Sequence, residues 1–210
     1  MTVPATRSDA LRSRERILRV ARGQDRRTLR LNEVARQAGL GVGTVYRHFP
    51  TVHALVEALA LETLHRMRAV AAEALAEPDA AKALAHFLRA ALHLQLEEGG
   101  LQAVLLSPAD EADEVRETKR EIFSAFQTVV ARARAAGAVR SDLTAEHLQH
   151  LVCGMEHAIR LGDPGDRELL LDVLLAGIRA PAPAGGPGPV GARRQEGRPP
   201  KQETSRGRPS

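Results

Sequence analysis

Residues 31–50, which read LNEVARQAGLGVGTVYRHFP, place two short apolar segments on either side of a glycine-rich turn. The apolar positions of the first segment recur at helical spacing, which predicts a helix over residues 31–38. Gly39 interrupts that helix, and a second one follows over residues 44–49. Pro50 ends it, because proline cannot continue the hydrogen-bond ladder. Helices this short are stable only when they pack against neighbours, so this stretch constrains the fold around it.

The spacing is that of a helix-turn-helix, in which two helices cross at a tight turn that contains glycine. Gly39 is predicted to take the positive φ angle that the turn needs, and the small Ala35 lets the two helices approach closely. In such a unit the second helix enters the major groove of DNA with its N-terminus first. The residues predicted to face inward are Val34, Ala35, Leu40, Val45 and Phe49.

Six residues of the turn and second helix are predicted to face DNA: Val42, Gly43, Thr44, Tyr46, Arg47 and His48. Arginine donates two hydrogen bonds to guanine and an apolar side chain contacts the thymine methyl group, which suits Arg47 and Val42. Thr44, Tyr46 and His48 are placed to hold backbone phosphates, which set the register of a protein on the duplex. The alternatives are a packing tyrosine with a hydrated hydroxyl at Tyr46, and merely solvated side chains at Arg47 and His48.

Charge is distributed unevenly along the chain. Residues 1–53 hold 11 arginines against four acidic residues, whereas residues 54–180 hold 13 basic against 20 acidic residues. Residues 181–210 are again basic, with six basic residues against two acidic ones. A basic head on an acidic body indicates a polyanionic partner at one end. The alternative is that arginine simply decorates the surface.

The rest of the chain repeats the pattern of helical segments ended by glycine or proline. Aromatic residues make up only 2% of the chain and no long alternating run occurs, so an all-α fold is predicted. The nine predicted helices span residues 9–22, 31–38, 44–49, 52–76, 80–97, 101–106, 111–136, 144–161 and 166–179. Residues 181–210 are rich in proline, glycine and arginine and hold too few apolar residues for a core, which predicts a disordered tail.

The helix-turn-helix segment closely resembles the DNA-binding signature of the TetR family of bacterial regulators. The matching residues are Val34, Ala35, Ala38, Gly39, Leu40, Gly43, Thr44, Val45, Tyr46, His48, Phe49 and Pro50, with Ala54 and Leu55 in the next helix. Ile17, Leu18, Val20 and Ala21 fit the first helix of that pattern, so the resemblance covers residues 8–62.

The resemblance implies an N-terminal three-helix DNA-binding domain, here residues 1–53, and a C-terminal helical bundle for dimerisation and ligand binding, here residues 54–180. It also implies a homodimer that binds a near-palindromic operator in double-stranded DNA. We therefore expect a repressor that an unknown small-molecule effector releases from DNA. The alternatives are an activator and a regulator that senses a protein partner. Arg30 and Asn32, at the start of the second helix, join the expected DNA-binding residues.

Three positions depart from the family pattern. Residues 23–28 replace a longer stretch after the first helix, so the small core is expected to rely on Leu29 and Leu31. Arg30 stands where a threonine usually caps the second helix, which weakens the cap or transfers it to the threonine two residues before. Val52 stands where a lysine often contacts phosphate, so one phosphate contact per subunit is expected to be lost.

The dimer interface and the ligand pocket are expected in the C-terminal domain. The interface is expected on the apolar stripes of the last two helices, which are Leu148, Leu151, Val152, Met155 and Ile159, and Leu170, Val173, Leu174 and Ile178. The alternative is that both stripes belong to the internal core. The candidate pocket residues are Met67, Phe87, Leu92, Phe123, Phe126 and Met155, each of which is as readily an ordinary core residue.

Other patterns point to no cofactor and no metal. His147, His150, Cys153 and His157 lie three or four apart, but one helix rarely supplies a full metal shell. The acidic run over residues 110–114 is predicted to be a solvated helix start favoured by the helix dipole, with cation binding as the alternative. Nothing resembles a catalytic triad or phosphate loop, which disfavours an enzyme, the alternative to a regulator. With one cysteine and no apolar signal or membrane segment, the chain is expected to be cytoplasmic.

Overall fold

The computed structural model describes residues 7–26 and 28–180. These residues form nine α-helices and no strand, which confirms the all-α prediction. The helices are α1 (Arg7–Arg22), α2 (Leu31–Ala38), α3 (Val42–His48), α4 (Val52–Ala76), α5 (Ala80–Glu97), α6 (Leu101–Leu106), α7 (Asp113–Ala135), α8 (Ala145–Leu161) and α9 (Arg167–Gly177), with a short 3₁₀ helix, Pro164–Asp166, before α9. Within this part of the chain, none of the helices has the length and apolar character needed to cross a lipid bilayer. The predicted disordered tail lies outside the described residues.

Helices α1, α2 and α3 and the first turns of α4 enclose a small core. Its fully buried members are Ile17, Ala21, Val34, Ala35, Val45 and Leu55. Leu29 and Leu31, which follow the short loop after α1, are also buried in this core, as the sequence predicts. The shortened connection after α1 therefore still supplies the apolar residues that close the unit.

Helices α4 to α9 enclose a second, larger core. The 25 residues of α4 contribute to both cores. Leu55 and Leu59 pack in the first core, whereas Val56, Ala60 and Leu64 pack in the second. Helix α4 is therefore a continuous connection between the two cores.

Several helices begin where their capping residues predict. Helices α2, α5 and α6 have the predicted bounds. Thr51 caps α4, since its Oγ1 accepts the Ala54 N–H at 2.9 Å. Thr144 caps α8 and accepts the His147 N–H at 3.2 Å, while the His147 side chain accepts the Thr144 N–H. These caps satisfy amides that the first turn of a helix leaves without partners.

Helices α8 and α9 begin one residue later than predicted, and three helix starts differ by two residues, of which that of α1 at Arg7 is two residues early. Helix α3 begins at Val42, two residues early, because Gly41 already takes the extended conformation of an N-cap. Helix α7 begins at Asp113, two residues late, because Ala112 is extended and its N–H donates to the Glu57 carboxylate of α4. The later start of α7 arises from a contact between residues 55 apart, which local sequence patterns do not contain.

Candidate nucleic-acid interface

The turn between α2 and α3 is built on a left-handed residue. Gly39 has φ 61° and ψ 38°, which confirms the predicted positive φ. Leu40 N–H donates to Ala35 O at 3.0 Å, a bond that closes the end of α2. Arg16 of α1 donates from Nη2 to Ala38 O at 2.6 Å. The end of α2 is thus held by its own backbone and by a side chain of α1.

The inner face of α3 fixes this helix on the small core. Val45 and Phe49 are buried, and Leu40 is half-buried against the same core. The guanidinium carbon of Arg14 lies 5.2 Å from the centre of the Phe49 ring, a cation–π contact between α1 and the end of α3. All five predicted inward residues of the unit therefore face the core, and α3 presents its opposite face to solvent.

The outer face of α3 carries the residues predicted to contact DNA. Val42 and Tyr46 are each 46% exposed, although both are large and apolar or aromatic. Gly43 and Arg47 are also exposed, and Thr44 is half-buried. Arg47 donates from Nη2 to Thr44 Oγ1 at 3.1 Å, which orients the guanidinium along the helix. The structure thus gathers donors, a hydroxyl and an apolar side chain on one exposed surface.

His48 lies at the edge of that surface and is half-buried. Burial lowers the pKa of its imidazole below the ordinary value, and the positive charges of Arg14 and Arg47 lower it further. The imidazole of the free protein therefore takes up a proton less readily than an exposed histidine does.

The start of α2 adds Arg30 and Asn32, which are both exposed as expected of DNA-contacting residues. Among the residues described here, no side chain caps α2: Arg30 occupies the N-cap position without a capping hydrogen bond. The Thr28 hydroxyl donates to Asp25 O at 3.4 Å instead of accepting from the helix. The expected weak cap is confirmed, and the first amides of α2 remain open to solvent or to an anion.

The sequence did not predict the contact between this unit and the larger bundle, which we call the joint and which consists of Arg26, Glu98 and Gly100. Arg26, in the connection after α1, donates to the carbonyls of Ala21 at 2.5 Å and Gln24 at 2.9 Å. Its Nε also donates to Glu98 Oε1, after the end of α5, at 3.1 Å. Both side chains are largely buried, so this ion pair is shielded from solvent. No local signal identifies it, because the two residues are 72 positions apart.

Gly100 lies beside that ion pair, directly before α6. A Cβ atom at this position would lie 2.9 Å from Val56 Cγ1 of α4 and 3.2 Å from Arg26 Cγ. The absence of a side chain thus allows α4, α6 and the connection after α1 to meet. Besides α4 itself, this contact connects the region of the small core with the larger bundle.

The residues predicted to form a dimer interface divide into three groups. Leu148, Val152, Ile159 and Ile178 are buried in the core of the chain itself. Met155, Leu170 and Leu174 are half-buried against the same core. Leu151 and Val173 are 43% and 62% exposed. Only this last pair presents apolar surface that a second copy can cover.

A narrow cavity of about 30 Å³ lies among α4, α5, α6, α7 and α8. Four of the predicted pocket residues line it: Met67, Phe87, Phe123 and Phe126. The rings of Phe87 and Phe126 stack with their centres 4.6 Å apart. Gln95 and Gln149 are its polar lining residues. Leu92 and Met155 do not line this cavity, and Leu92 is fully buried in the core.

The remaining candidates have structural roles. His147 serves the cap of α8, and Cys153 is buried, which raises the pKa of its thiol. A thiol in that state is a poor metal ligand or redox sensor. The acidic run was expected to be solvated, but the Asp110 side chain is only 9% exposed and pairs with Lys119. The first residue of the run therefore faces inward because a buried ammonium group holds it there.

Two families of known proteins match the chain. Residues 18–59 match the family described as bacterial regulatory proteins, tetR family. Residues 79–180 match a family described as the C-terminal domain of SbtR-like transcriptional regulators. Together these matches cover the helix-turn-helix unit and most of the larger bundle. No curated protein matches the chain.

Solved structures show the same architecture. A TetR transcriptional regulator from Streptomyces coelicolor is 30% identical, with 80% of this chain and 99% of that chain covered and a TM-score of 0.50. The TetR family regulator PfmR from Thermus thermophilus is 18% identical, with 85% and 98% covered and a TM-score of 0.55. The regulator FadR from Bacillus subtilis, solved with stearoyl-CoA, is 17% identical, with 80% and 99% covered and a TM-score of 0.52. At these identities, PfmR and FadR show the fold alone.

Proposed function

The chain belongs to the TetR family of bacterial transcriptional regulators, and we propose that it is a ligand-responsive repressor that binds a near-palindromic operator as a homodimer. A small molecule that enters the C-terminal bundle releases it from DNA. Its place of action is the cytoplasm, where the DNA lies. Members of this family are DNA-binding regulators and not enzymes.

The outer face of α3 is the observation that supports DNA binding. Arg47 offers a guanidinium with several donors, and Val42 offers an apolar contact for a thymine methyl group. Tyr46 and Thr44 offer hydroxyl groups for backbone phosphates. The surrounding residues 1–53 carry 11 arginines and only four acidic residues, which favours a polyanion at this end.

A dimer follows from how little DNA one copy can read. Helix α3 has seven residues and reaches a few base pairs, so specificity requires a second recognition helix one helical turn along the duplex. Exposed apolar residues lie on α8 and α9, at Leu151, Leu161, Leu169 and Val173. An apolar surface of this kind, formed by two helices at the end of a chain, suits a four-helix interface between two copies.

The cavity among α4 to α8 supports a small, largely apolar effector. Its volume of about 30 Å³ is well below the roughly 300–1,000 Å³ of small-molecule sites, so an effector enters only when the lining helices move apart. Its walls are aliphatic and aromatic, and Gln95 and Gln149 provide hydrogen bonds. The effector class that fits is therefore an apolar molecule with one or two groups that hydrogen-bond to an amide.

Release from DNA follows from the continuity of the helices that line this cavity. Met67 of α4 and Leu105 of α6 are wall residues. Helix α4 continues to the DNA-binding unit, and α6 begins at Gly100 beside Arg26. A ligand that prefers one arrangement of α4 and α6 shifts the population of dimers away from the spacing that fits the operator.

The test is binding of the full chain to the DNA upstream of its own gene, measured by fluorescence anisotropy at two salt concentrations. We expect specific, salt-sensitive binding. Arg47→Ala should weaken it roughly 5- to 150-fold, the range for a lost bidentate base contact. Tyr46→Phe should weaken it by about 2- to 10-fold, the range for one hydrogen bond.

Arg140→Ala is the matched control, because Arg140 is exposed in the connection between α7 and α8 and pairs with Asp142. Like Arg47→Ala it removes one positive charge, but at a position far along the chain from α3, and it should leave the affinity for DNA unchanged. Equal binding to random DNA, unaffected by Arg47→Ala, would contradict the proposal. A transcription assay on the bound promoter separates a repressor from an activator, because both bind DNA in the same way.

A further inference from the structure

Three potential metal ligands converge where the first turn of α4 meets the connection between α6 and α7. His53 and Glu57 are one helical turn apart on α4, and Asp110 lies in the connection. A ligand atom of each lies within 4.8 Å of those of the other two. The side chains are 31%, 1% and 9% exposed, so two carboxylates lie together largely away from water.

The two carboxylates already accept hydrogen bonds but keep free lone pairs. Glu57 accepts the Glu111 N–H on Oε1 at 2.8 Å and the Ala112 N–H on Oε2 at 2.9 Å. Asp110 accepts from Lys119 Nζ on Oδ1 at 2.7 Å. A carboxylate has about four lone-pair positions, so each group can also bind a cation.

Charge favours a cation at this place. The ammonium group of Lys119 pairs with Asp110, and it also donates to the carbonyls of Val104 at 2.8 Å and Ser107 at 2.9 Å. One ammonium leaves one of the two buried negative charges without a full counter-charge. Buried charges of this kind are stabilised by a partner ion or a metal.

The imidazole of His53 supplies the observation that points to a metal. Among the described residues, its Nε2 is the one buried side-chain nitrogen or oxygen that makes no hydrogen bond. It nevertheless lies 3.0 Å from Glu57 Oε1. The two atoms are close without the alignment of a donor and an acceptor. Two ligands that each lie about 2.1 Å from one ion are separated by about 3.0 Å at the octahedral angle and by about 3.4 Å at the tetrahedral angle.

We propose that His53 Nε2, Glu57 and Asp110 bind a divalent transition-metal ion. One nitrogen and two carboxylate oxygens suit Zn²⁺ or Mn²⁺ better than Mg²⁺ or Ca²⁺, which prefer oxygen ligands alone. Water completes the coordination, as in other three-ligand sites. The ion fastens the start of α4 to the α6–α7 connection.

Such an ion makes operator affinity depend on metal. His53 follows the end of α3 by five residues, so its position is tied to that of the recognition helix. This regulatory consequence rests on the proposed function, whereas metal binding itself does not. The two are therefore measured separately.

The experiment is a calorimetric titration of the chelator-treated full chain with Zn²⁺ and with Mn²⁺. We expect one site in the wild type that His53→Ala weakens by more than about 100-fold, since even the loss of groups behind the ligands costs 10- to 100-fold. His65→Ala is the matched control. His65 is also on α4 and lies beside a carboxylate, with its Nε2 3.4 Å from Glu114 Oε1 of α7, but both side chains are exposed. Its loss should leave the site intact.

A second readout keeps the test independent of folding defects. The metal should raise the melting temperature of the wild type and of His65→Ala, but not that of His53→Ala. Co²⁺ should give a visible absorption band in the first two proteins alone. Equal numbers of ions bound with equal affinity by wild type and His53→Ala would overturn the proposal. DNA binding that is specific but identical with chelator and with metal would overturn only its regulatory part.

Discussion

At the scale of single residues, the two faces of α3 differ in whether their apolar side chains are buried in the core or exposed to solvent. Val45 and Phe49 are four apart and buried, whereas Val42 and Tyr46, also four apart, are exposed. A single exposed apolar side chain is common on protein surfaces, so the pair gains meaning only beside Arg47 and Thr44 on the same face.

His48 is predicted to make stability depend on pH. Its pKa is lowered in the folded protein, chiefly by burial, so the unfolded chain takes up the proton more readily, near its ordinary value of about 6.5. As pH falls through that value, the free energy of unfolding should decrease more steeply in the wild type than in His48→Gln. Urea unfolding at pH values of about 7.5 and about 5.5 measures this difference. Parallel changes in the two proteins would show that His48 does not contribute.

At the scale of helices, local signals predicted most bounds and contacts between distant residues decided the rest. Gly39, Thr51 and Pro50 end or begin their helices through their own backbone chemistry, which the sequence shows directly. The start of α7 depends on Glu57 of α4, and the Arg26–Glu98 pair joins residues 72 apart. The outer face of α3 was predictable from its spacing, but the joint to the bundle was not.

The left-handed turn before α3 provides a test at this scale. Gly39→Ala should lower the free energy of unfolding by about 1–2 kcal/mol, because a Cβ is strained at φ 61° and would lie 3.3 Å from Arg16 Nη2. It should also weaken operator binding, because the crossing of α2 and α3 changes. Gly137→Ala is the control, since Gly137 has φ 67° and no atom lies within 4 Å of its Cβ position. Thermal unfolding should show a loss in both variants. A loss of DNA affinity in both, or in neither, would contradict the assigned role of the turn.

The contact at the start of α6 provides a second test at the scale of helices. A Cβ added at Gly100 would approach Val56 Cγ1 to 2.9 Å, so Gly100→Ala should cost about 1–3 kcal/mol of stability and displace α4 from α6. Gly99→Ala adds the same methyl group one residue earlier, where nothing lies within 4 Å. Thermal unfolding and effector response of the two variants should therefore differ. If both behave like the wild type, the joint tolerates a side chain and does not couple the two cores.

At the scale of the whole molecule, the region suited to DNA and the region suited to a second copy differ in charge and in exposed apolar surface. The basic residues 1–53 favour DNA, whereas the acidic residues 54–180 disfavour it. The exposed apolar residues of α8 and α9 are in the acidic part, where repulsion from phosphate keeps them from DNA. This division suits a molecule that binds DNA with one region and a second copy with another.

The dimer is tested by charging that apolar surface. Leu151→Glu combined with Val173→Glu changes two residues that are 43% and 62% exposed, so each single copy should stay folded. Two glutamates that face their counterparts across a two-fold axis should convert the dimer to a monomer in sedimentation experiments. Operator affinity should then fall at least about tenfold, because the second half-site no longer benefits from effective concentration. Leu75→Glu, at a 39% exposed position near the end of α4, is the control and should leave both properties unchanged. A double variant that remains dimeric would place the interface elsewhere, whereas a monomer with full operator affinity would mean that one copy reads its site alone.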